Sequence, residues 1–101
     1  EIFRIVQEAL NNSIKYSEAS SIDINISYSE KKGNLKVMII DDGKGFDYEP
    51  DYIYKQNKTR SYGLRNMNER TRIINGKLTI ISRKGEGCVI SVEVPLKLNA
   101  P

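Results

Sequence analysis

Hydrophobic and polar positions follow two different periods along this chain, and the first of them predicts a helix. Apolar residues recur at helical spacing from the start of the chain, with no capping residue before them, and residues 17–21 end the pattern. The predicted apolar face comprises Ile2, Phe3, Val6, Leu10 and Ser13. The opposite face, at about 100° per residue, carries a polar stripe of Arg4, Glu8, Asn12 and Lys15. Because the helical pattern begins so abruptly, we expect residues 1–101 to be an N-terminally truncated single domain.

The second period, an alternation of apolar and polar residues, predicts a β-hairpin. Residues 22–28 alternate as a half-buried strand does, and a turn at residues 31–34 separates them from residues 35–40. The second arm is apolar on both faces, so we expect it to lie nearer the centre of the sheet.

The remainder of the chain predicts a loop, a second helix and two further strands. Residues 47–62 are polar and lack a sustained period, which indicates a loop. Gly63 then opens a helix that Asn75-Gly76 closes, and residues 78–82 and 88–94 follow as strands. One face of this helix carries Leu64, Met67, Thr71 and Ile74. The element order predicts an α+β two-layer sandwich, with a mixed, mostly antiparallel sheet and helices on one face.

Composition narrows the class of protein. With 39% hydrophobic and 29% charged residues among 101, the chain suits one soluble domain. No apolar run approaches the roughly 18–20 residues of a membrane span, so we predict no membrane contact by this segment. A single cysteine, Cys88, allows no internal disulfide and indicates a reducing, cytoplasmic setting. The chain has no histidine, which excludes an imidazole base, nucleophile or metal ligand on it.

Charge is unevenly distributed along the chain. The formal net charge is +3, and the basic excess lies in residues 58–101, whereas acidic residues outnumber basic ones in residues 1–57. A basic stretch suits a phosphate ligand or an acidic partner, and it is also typical of a solvated helix face. Because no basic platform interleaved with aromatic residues is evident, we predict no nucleic acid binding.

Residues 41–46 carry the most informative chemistry. An acid at the end of a strand, Asp41, can accept a hydrogen bond from an exocyclic amine. Gly43 and Gly45 let the backbone pass close to a flat ligand. The same residues also suit an ordinary β-turn, so a nucleotide pocket and a simple turn both remain open at this point.

The polar stripe of the first helix suggests a metal and phosphate site. The side-chain oxygen of Asn12 can complete the shell of a Mg²⁺ ion that is otherwise held by phosphates and water, and Lys15 can supply charge for those phosphates. An exposed amphipathic face is the alternative. Asn11-Asn12 in mid-helix is poor in helix propensity, which favours a functional role.

Three ordered runs of residues resemble a known family. They are Arg4 to Tyr16, Asp41 to Phe46 and Tyr62 to Arg70. In order and spacing they closely resemble the N, G1 and G2 boxes of the ATP-binding domain of bacterial sensor histidine kinases, within the superfamily that includes gyrase, Hsp90 and MutL. The short loop and the Gly-Leu-x-x-Met-x-Glu-Arg form are most similar to the nitrate-sensing and membrane-lipid-sensing kinases.

The resemblance implies roles for residues on the first helix. Asn12 would bind Mg²⁺, and Lys15 and Tyr16 would contact the phosphates of ATP. Glu8 occupies the position of the N-box acid and is the candidate catalytic residue on this chain.

The resemblance also implies how the rest of the nucleotide would bind. Asp41 would accept the adenine amino group, and Gly43 and Gly45 would leave space at the base. Backbone N–H groups of Gly63 and Leu64 at a helix N-terminus would face the phosphates, and residues 47–62 would form a lid over ATP. Two residues depart from the family pattern. Cys88 stands where a Thr hydroxyl is usual, and Tyr62 stands where a His is usual.

These roles imply a protein histidine kinase. The domain would donate the γ-phosphoryl of ATP to a histidine on separate dimerisation and phosphotransfer helices, in a homodimeric parent that signals onward to a response regulator. It would be a cytoplasmic domain of a membrane-anchored parent. The alternatives are an anti-sigma-factor serine kinase of the same superfamily and a degenerate module that docks a partner.

Overall fold

Two helices and a four-stranded sheet make up the part of the chain that the structure, a computed structural model, describes. That part comprises residues 2–48 and 59–96, with the backbone alone for residues 59–62. In chain order the elements are α1 (Ile2–Tyr16), β1 (Ile22–Ser29), β2 (Asn34–Asp41), α2 (Thr59–Ile73), β3 (Lys77–Ser82) and β4 (Cys88–Pro95). Neither described helix is long and apolar enough to cross a membrane.

The strands form one sheet in the order β1-β2-β4-β3. All three pairings among the described strands are antiparallel, and the predicted hairpin of β1 and β2 is confirmed, with Ile22 opposite Asp41 and Ser29 opposite Asn34. Gly33 makes the hairpin turn with a φ of 67° and donates its N–H to the Ser29 carbonyl at 2.7 Å. As its apolar pattern predicts, β2 lies inside the sheet, between β1 and β4.

Both helices pack on one face of this sheet, and the core lies between the two layers. The strands contribute alternate apolar residues, of which Cys88, Ile90, Val92 and Val94 on β4 are all buried, as their alternation predicts. On the helix side, Ile5, Ala9, Leu64 and Met67 are fully buried. The two-layer α+β prediction is therefore confirmed.

The orientation of α1 differs from its prediction. The buried face is centred on Ile5 and Ala9, which are 0% exposed, whereas Phe3 is 74% exposed. Asn12, which the sequence places on the opposite polar face, is buried at 4% exposure beside this core face. Apolar residues cover so much of this helix that several rotations satisfy the pattern, and packing against α2 and the sheet selects the one that buries the small Ala9.

Burial of β1 was also overestimated. Ile24, Ile26 and Tyr28 alternate as predicted and share the helix-facing side, yet they are 45%, 69% and 36% exposed. The reason is that β1 is an edge strand, and the two helices pack mainly over β2, β4 and β3.

The second helix begins earlier than predicted, at Thr59 rather than at Gly63. No proline interrupts residues 59–62, so the helical hydrogen bonding extends through them. The predicted inner face is confirmed for Leu64, Met67 and Thr71, which are each 0% exposed, whereas Ile74 follows the end of α2 and is partly buried. Residues 49–58 of the expected lid lie outside the described residues.

The predicted C-terminal cap of α2 is confirmed. Asn75 adopts a left-handed φ of 59°, and the Gly76 N–H donates to the Thr71 carbonyl at 2.8 Å. Asn is one of the few residues besides glycine that tolerates this conformation, so the cap ends the helix at the point where β3 must begin.

Two adjacent isoleucines on β3 test which sheet face is the core. We expect Ile80→Ala to lower the free energy of unfolding by about 2–4 kcal/mol, because Ile80 is only 8% exposed. Ile81 points to the other face and is 65% exposed, so Ile81→Ala should change it by less than about 0.5 kcal/mol. Urea denaturation measures both variants, and equal losses would contradict the assignment of faces.

Candidate functional site

β2 ends in a buried carboxylate that can accept a further hydrogen bond. Asp41 is 5% exposed, and its Oδ1 accepts the Gly43 N–H at 3.0 Å. Its Oδ2 is buried and has no hydrogen-bond partner within residues 2–48 and 59–96. A buried acceptor without a partner costs free energy, so this oxygen is suited to receive a donor from a ligand.

The turn that follows Asp41 is held by contacts that only glycine permits. A Cβ atom on Gly43 would collide with the backbone of Ser17, whose carbonyl accepts the Lys44 N–H at 2.8 Å. Gly45 has a φ of 62°, and a Cβ there would collide with the carbonyl oxygen of Arg83. Both glycines thus bring parts of the protein's own backbone together, a role that the sequence did not reveal.

The α1 helix contributes a second buried oxygen without a partner. Asn12 is 4% exposed, and its Oδ1 finds no hydrogen-bond partner in the described part of the chain. Across from it, α2 approaches closely at Gly63, where an added Cβ would lie 3.3 Å from Asn12 Nδ2 and 2.9 Å from Glu8 Oε1. An oxygen of this kind is a suitable ligand for a hard cation such as Mg²⁺.

A polar cavity of about 310 Å³ lies between these two helices. Its lining comprises Glu8, Asn11, Asn12, Lys15, Tyr16, Gly63 and Asn66. The structure therefore brings together the predicted Glu8, Asn12, Lys15, Tyr16 and Gly63. Lys15 is exposed, with its Nζ 5.8 Å from the centroid of the Tyr16 ring, so its charge is available at the rim.

The other predicted residues lie apart from this cavity. Asp41, Gly43, Gly45 and Leu64 are not among its lining residues. The Leu64 side chain belongs to the core, and Gly63 and Leu64 lie in the second turn of α2 rather than at its N-terminus. Among the residues that the structure describes, the site thus has two parts, one at the α1–α2 cavity and one at Asp41.

Sequence reasoning missed Asn66 and one structural contact, and it noted Asn11 only for poor helix propensity, without a place in the site. Asn11 and Asn66 both line the cavity. Asn66 falls one helical turn after Gly63, and that spacing was a signal from which its position could have been found. The missed contact is at Asp42, which lies exposed in the turn while its carboxylate is hydrogen-bonded to Ser20 and Ser21. The Ser21 backbone N–H and the Ser20 hydroxyl lower the pKa of Asp42 below its ordinary 3.8.

Cys88 and Ser82 lie beside Asp41 on the neighbouring strands of the sheet. Cys88 is paired with Asp41 on one side and with Ser82 on the other, and all three residues are buried. Ser82 Oγ accepts the Phe46 N–H at 2.9 Å and donates to the Gly87 carbonyl at 2.7 Å, which ties the glycine turn to β3. Cys88 is 3% exposed within the main core, in keeping with the packing role that its strand pattern favours.

Comparison with known proteins identifies the class to which this arrangement belongs. The model of the histidine kinase-, DNA gyrase B- and HSP90-like ATPase family matches residues 1–98. The chain therefore belongs to this family of ATP-binding domains.

Two relatives of the chain are bacterial histidine kinases. The chain is 39% identical over 97 residues to the signal transduction histidine-protein kinase/phosphatase DegS of Bacillus subtilis (strain 168), covering 96% of this chain and 24% of DegS. It is 41% identical over 95 residues to the sensor histidine kinase LiaS of the same organism, covering 94% of this chain and 24% of LiaS. The chain thus spans about a quarter of the length of these relatives.

Solved structures show the same fold. The histidine kinase AdeS of Acinetobacter baumannii aligns with a TM-score of 0.76 at 18% identity, over 96% of this chain and 46% of that one. Full-length ShkA, solved in complex with AMPPNP, aligns with a TM-score of 0.77 at 21% identity, over 96% of this chain and 22% of that one.

The glycine contacts predict which substitution damages the fold. We expect Gly43→Ala to lower the free energy of unfolding by about 1–3 kcal/mol, because its new methyl group meets the Ser17 backbone and one of the two must shift. Gly63→Ala should lower the free energy of unfolding less than Gly43→Ala does. Its methyl group meets the tip of the Glu8 side chain, which can move, and alanine favours the helix by about 1 kcal/mol.

Thermal and urea denaturation of the two variants measure this difference. The role assigned to Gly43 would be contradicted if its variant were as stable as the unchanged chain.

Proposed function

We propose that this chain is the ATP-binding, catalytic part of a sensor histidine kinase and that it binds ATP together with Mg²⁺. The two buried oxygens without partners, on Asp41 and Asn12, are the observation that carries the proposal. The adenine amino group would donate to Asp41 Oδ2, and Asn12 Oδ1 would complete the shell of a Mg²⁺ ion bound mainly by phosphates. Lys15 at the rim of the cavity would add charge for those phosphates.

Within that site, the chain's own residues orient the nucleotide rather than form a covalent bond to it. Phosphoryl transfer depends mainly on positioning and on neutralising charge at the reacting oxygens. Bound Mg²⁺ supplies much of that neutralisation. Glu8 lies beside Asn12 and Gly63 in the cavity, where it can accept a proton or a hydrogen bond from an incoming hydroxyl, imidazole or water.

Since the chain contains no histidine, the phosphoryl acceptor would lie elsewhere in the parent protein. We infer that it is a histidine on dimerisation and phosphotransfer helices of a homodimeric kinase, which then supplies a response regulator. The named relatives support this assignment over an anti-sigma-factor serine kinase, because both are histidine kinases. We also propose that this domain lies in the cytoplasm and that its parent protein is anchored in a membrane.

The adenine contact is tested by nucleotide binding to the 101-residue chain. Isothermal titration should show binding of Mg-ADP, and Asp41→Ala should weaken it by about tenfold to a hundredfold, the cost of losing a hydrogen bond to a charged group. The preference for ADP over GDP should fall as well. Asp23→Ala is the control, because Asp23 is an exposed residue on the edge strand. The proposal fails if the folded chain binds no Mg-ADP at millimolar concentration.

The metal contact is tested in the parent protein and in the chain. Asn12→Ala should abolish autophosphorylation on histidine, detected as acid-labile phosphate, and should remove the Mg²⁺ dependence of ATP binding to the chain. Asn25→Ala, an exposed asparagine on β1, should change neither measurement. An Asn12→Ala protein that kept full Mg²⁺-dependent activity would contradict the role of Asn12.

A further inference from the structure

Asp42 is an exposed residue whose carboxylate is nevertheless fully engaged. Its Oδ1 accepts the backbone N–H groups of Ser20 and Ser21 at 2.9 and 3.0 Å, and its Oδ2 accepts the Ser20 hydroxyl at 3.0 Å. These contacts span 21 and 22 positions in the sequence. Three hydrogen bonds accepted by one side chain therefore fasten the turn after β2 to the connection between α1 and β1.

That connection needs such a restraint. Its residue Glu18 has a φ of 53°, in the left-handed region that a non-glycine residue adopts only at a cost. The chain must reverse here, because α1 lies over the sheet and β1 lies at its edge. Hydrogen bonds from Ser20 and Ser21 to Asp42 hold the end of the reversal in place.

The two segments that Asp42 joins carry the two parts of the candidate site. On one side, the connection directly follows the α1 turn that bears Asn12, Lys15 and Tyr16, which line the cavity. On the other side, Asp42 follows Asp41, whose Oδ2 has no partner in the described residues. A shift of the connection relative to the turn would therefore change the separation between the cavity and Asp41.

We propose that Asp42 is a positioning residue of the nucleotide site, which fixes the phosphate-binding end of α1 at the correct distance from the adenine-binding Asp41. The inference rests on the proposed function. A ligand that spans both ends gains affinity from each only when their separation matches its own length. A ligand that occupies one end alone does not sense the separation.

Two substitutions and two ligands test this role in the 101-residue chain. Asp42→Ala removes all three hydrogen bonds and should weaken Mg-ADP binding by about tenfold, while Mg-tripolyphosphate, which reaches only the phosphate end, should bind as before. Asp42→Asn keeps Oδ1 for both N–H groups and can donate its amide to the Ser20 hydroxyl. It should therefore restore Mg-ADP binding although the charge is lost.

Isothermal titration gives the affinities, and a thermal melt of each variant gives its stability. Ser29→Ala, which loses one turn hydrogen bond from Lys32 at the other end of the hairpin, controls for a general loss of stability. The inference is overturned if Asp42→Ala binds Mg-ADP normally, if both ligands weaken equally, or if Asp42→Asn behaves like Asp42→Ala. Absence of Mg-ADP binding to the unchanged chain would instead remove the proposed function and this inference with it.

Discussion

The contact between the end of α1 and the turn after β2 is the constraint on which the site depends. At this point the Ser17 carbonyl accepts the Lys44 N–H at 2.8 Å, and the backbone of Gly43 passes so close that no side chain fits. Core packing determines the rotation of α1, and sheet pairing determines where β2 ends. Together with the hydrogen bonds that Asp42 accepts from Ser20 and Ser21, this contact sets how far the cavity on α1 lies from Asp41. The two parts of the site are thus related through the contact between these two segments, without a direct contact between Asp41 and the described cavity residues.

The arrangement carries a stability cost at both parts. A buried polar atom without a partner costs about 1–3 kcal/mol, and the described residues contain two such side-chain atoms, Asn12 Oδ1 and Asp41 Oδ2. Packing alone would favour apolar or paired groups at these positions. The fully buried Ile5, Ile39 and Ile90 lie in the surrounding core and help to offset the cost. Both atoms lie where a nucleotide and its metal are proposed to bind, and such binding would give each of them a partner.

Sequence patterns predicted most of this fold but not the details that depend on which elements cover each other. The alternation on β4 and the inner face of α2 were predicted correctly, because each has one continuous apolar face against the core. Ile26 alternates equally well, yet it is 69% exposed. The pattern within a strand does not show whether a helix covers that strand. Asn12 was predicted to be a site residue, a role that stays a prediction, but it was placed on the face opposite the core, whereas it is buried. Its burial follows from the rotation of α1, which depends on residues distant in sequence.

The glycine turn has a structural role besides the one that its motif predicts. Sequence reasoning assigned Gly43 and Gly45 to the space around a bound base, which stays a prediction, and the structure shows that both also let backbone segments meet. Gly87 belongs to the same set, because a Cβ there would collide with the Asp41 carbonyl oxygen. These glycines therefore determine the shape of the turn, and Asp41 supplies the free acceptor. A chain that kept the glycines and lost the acid would retain the fold without the proposed adenine contact, so the proposed nucleotide binding depends on Asp41 and Asn12 rather than on the glycines.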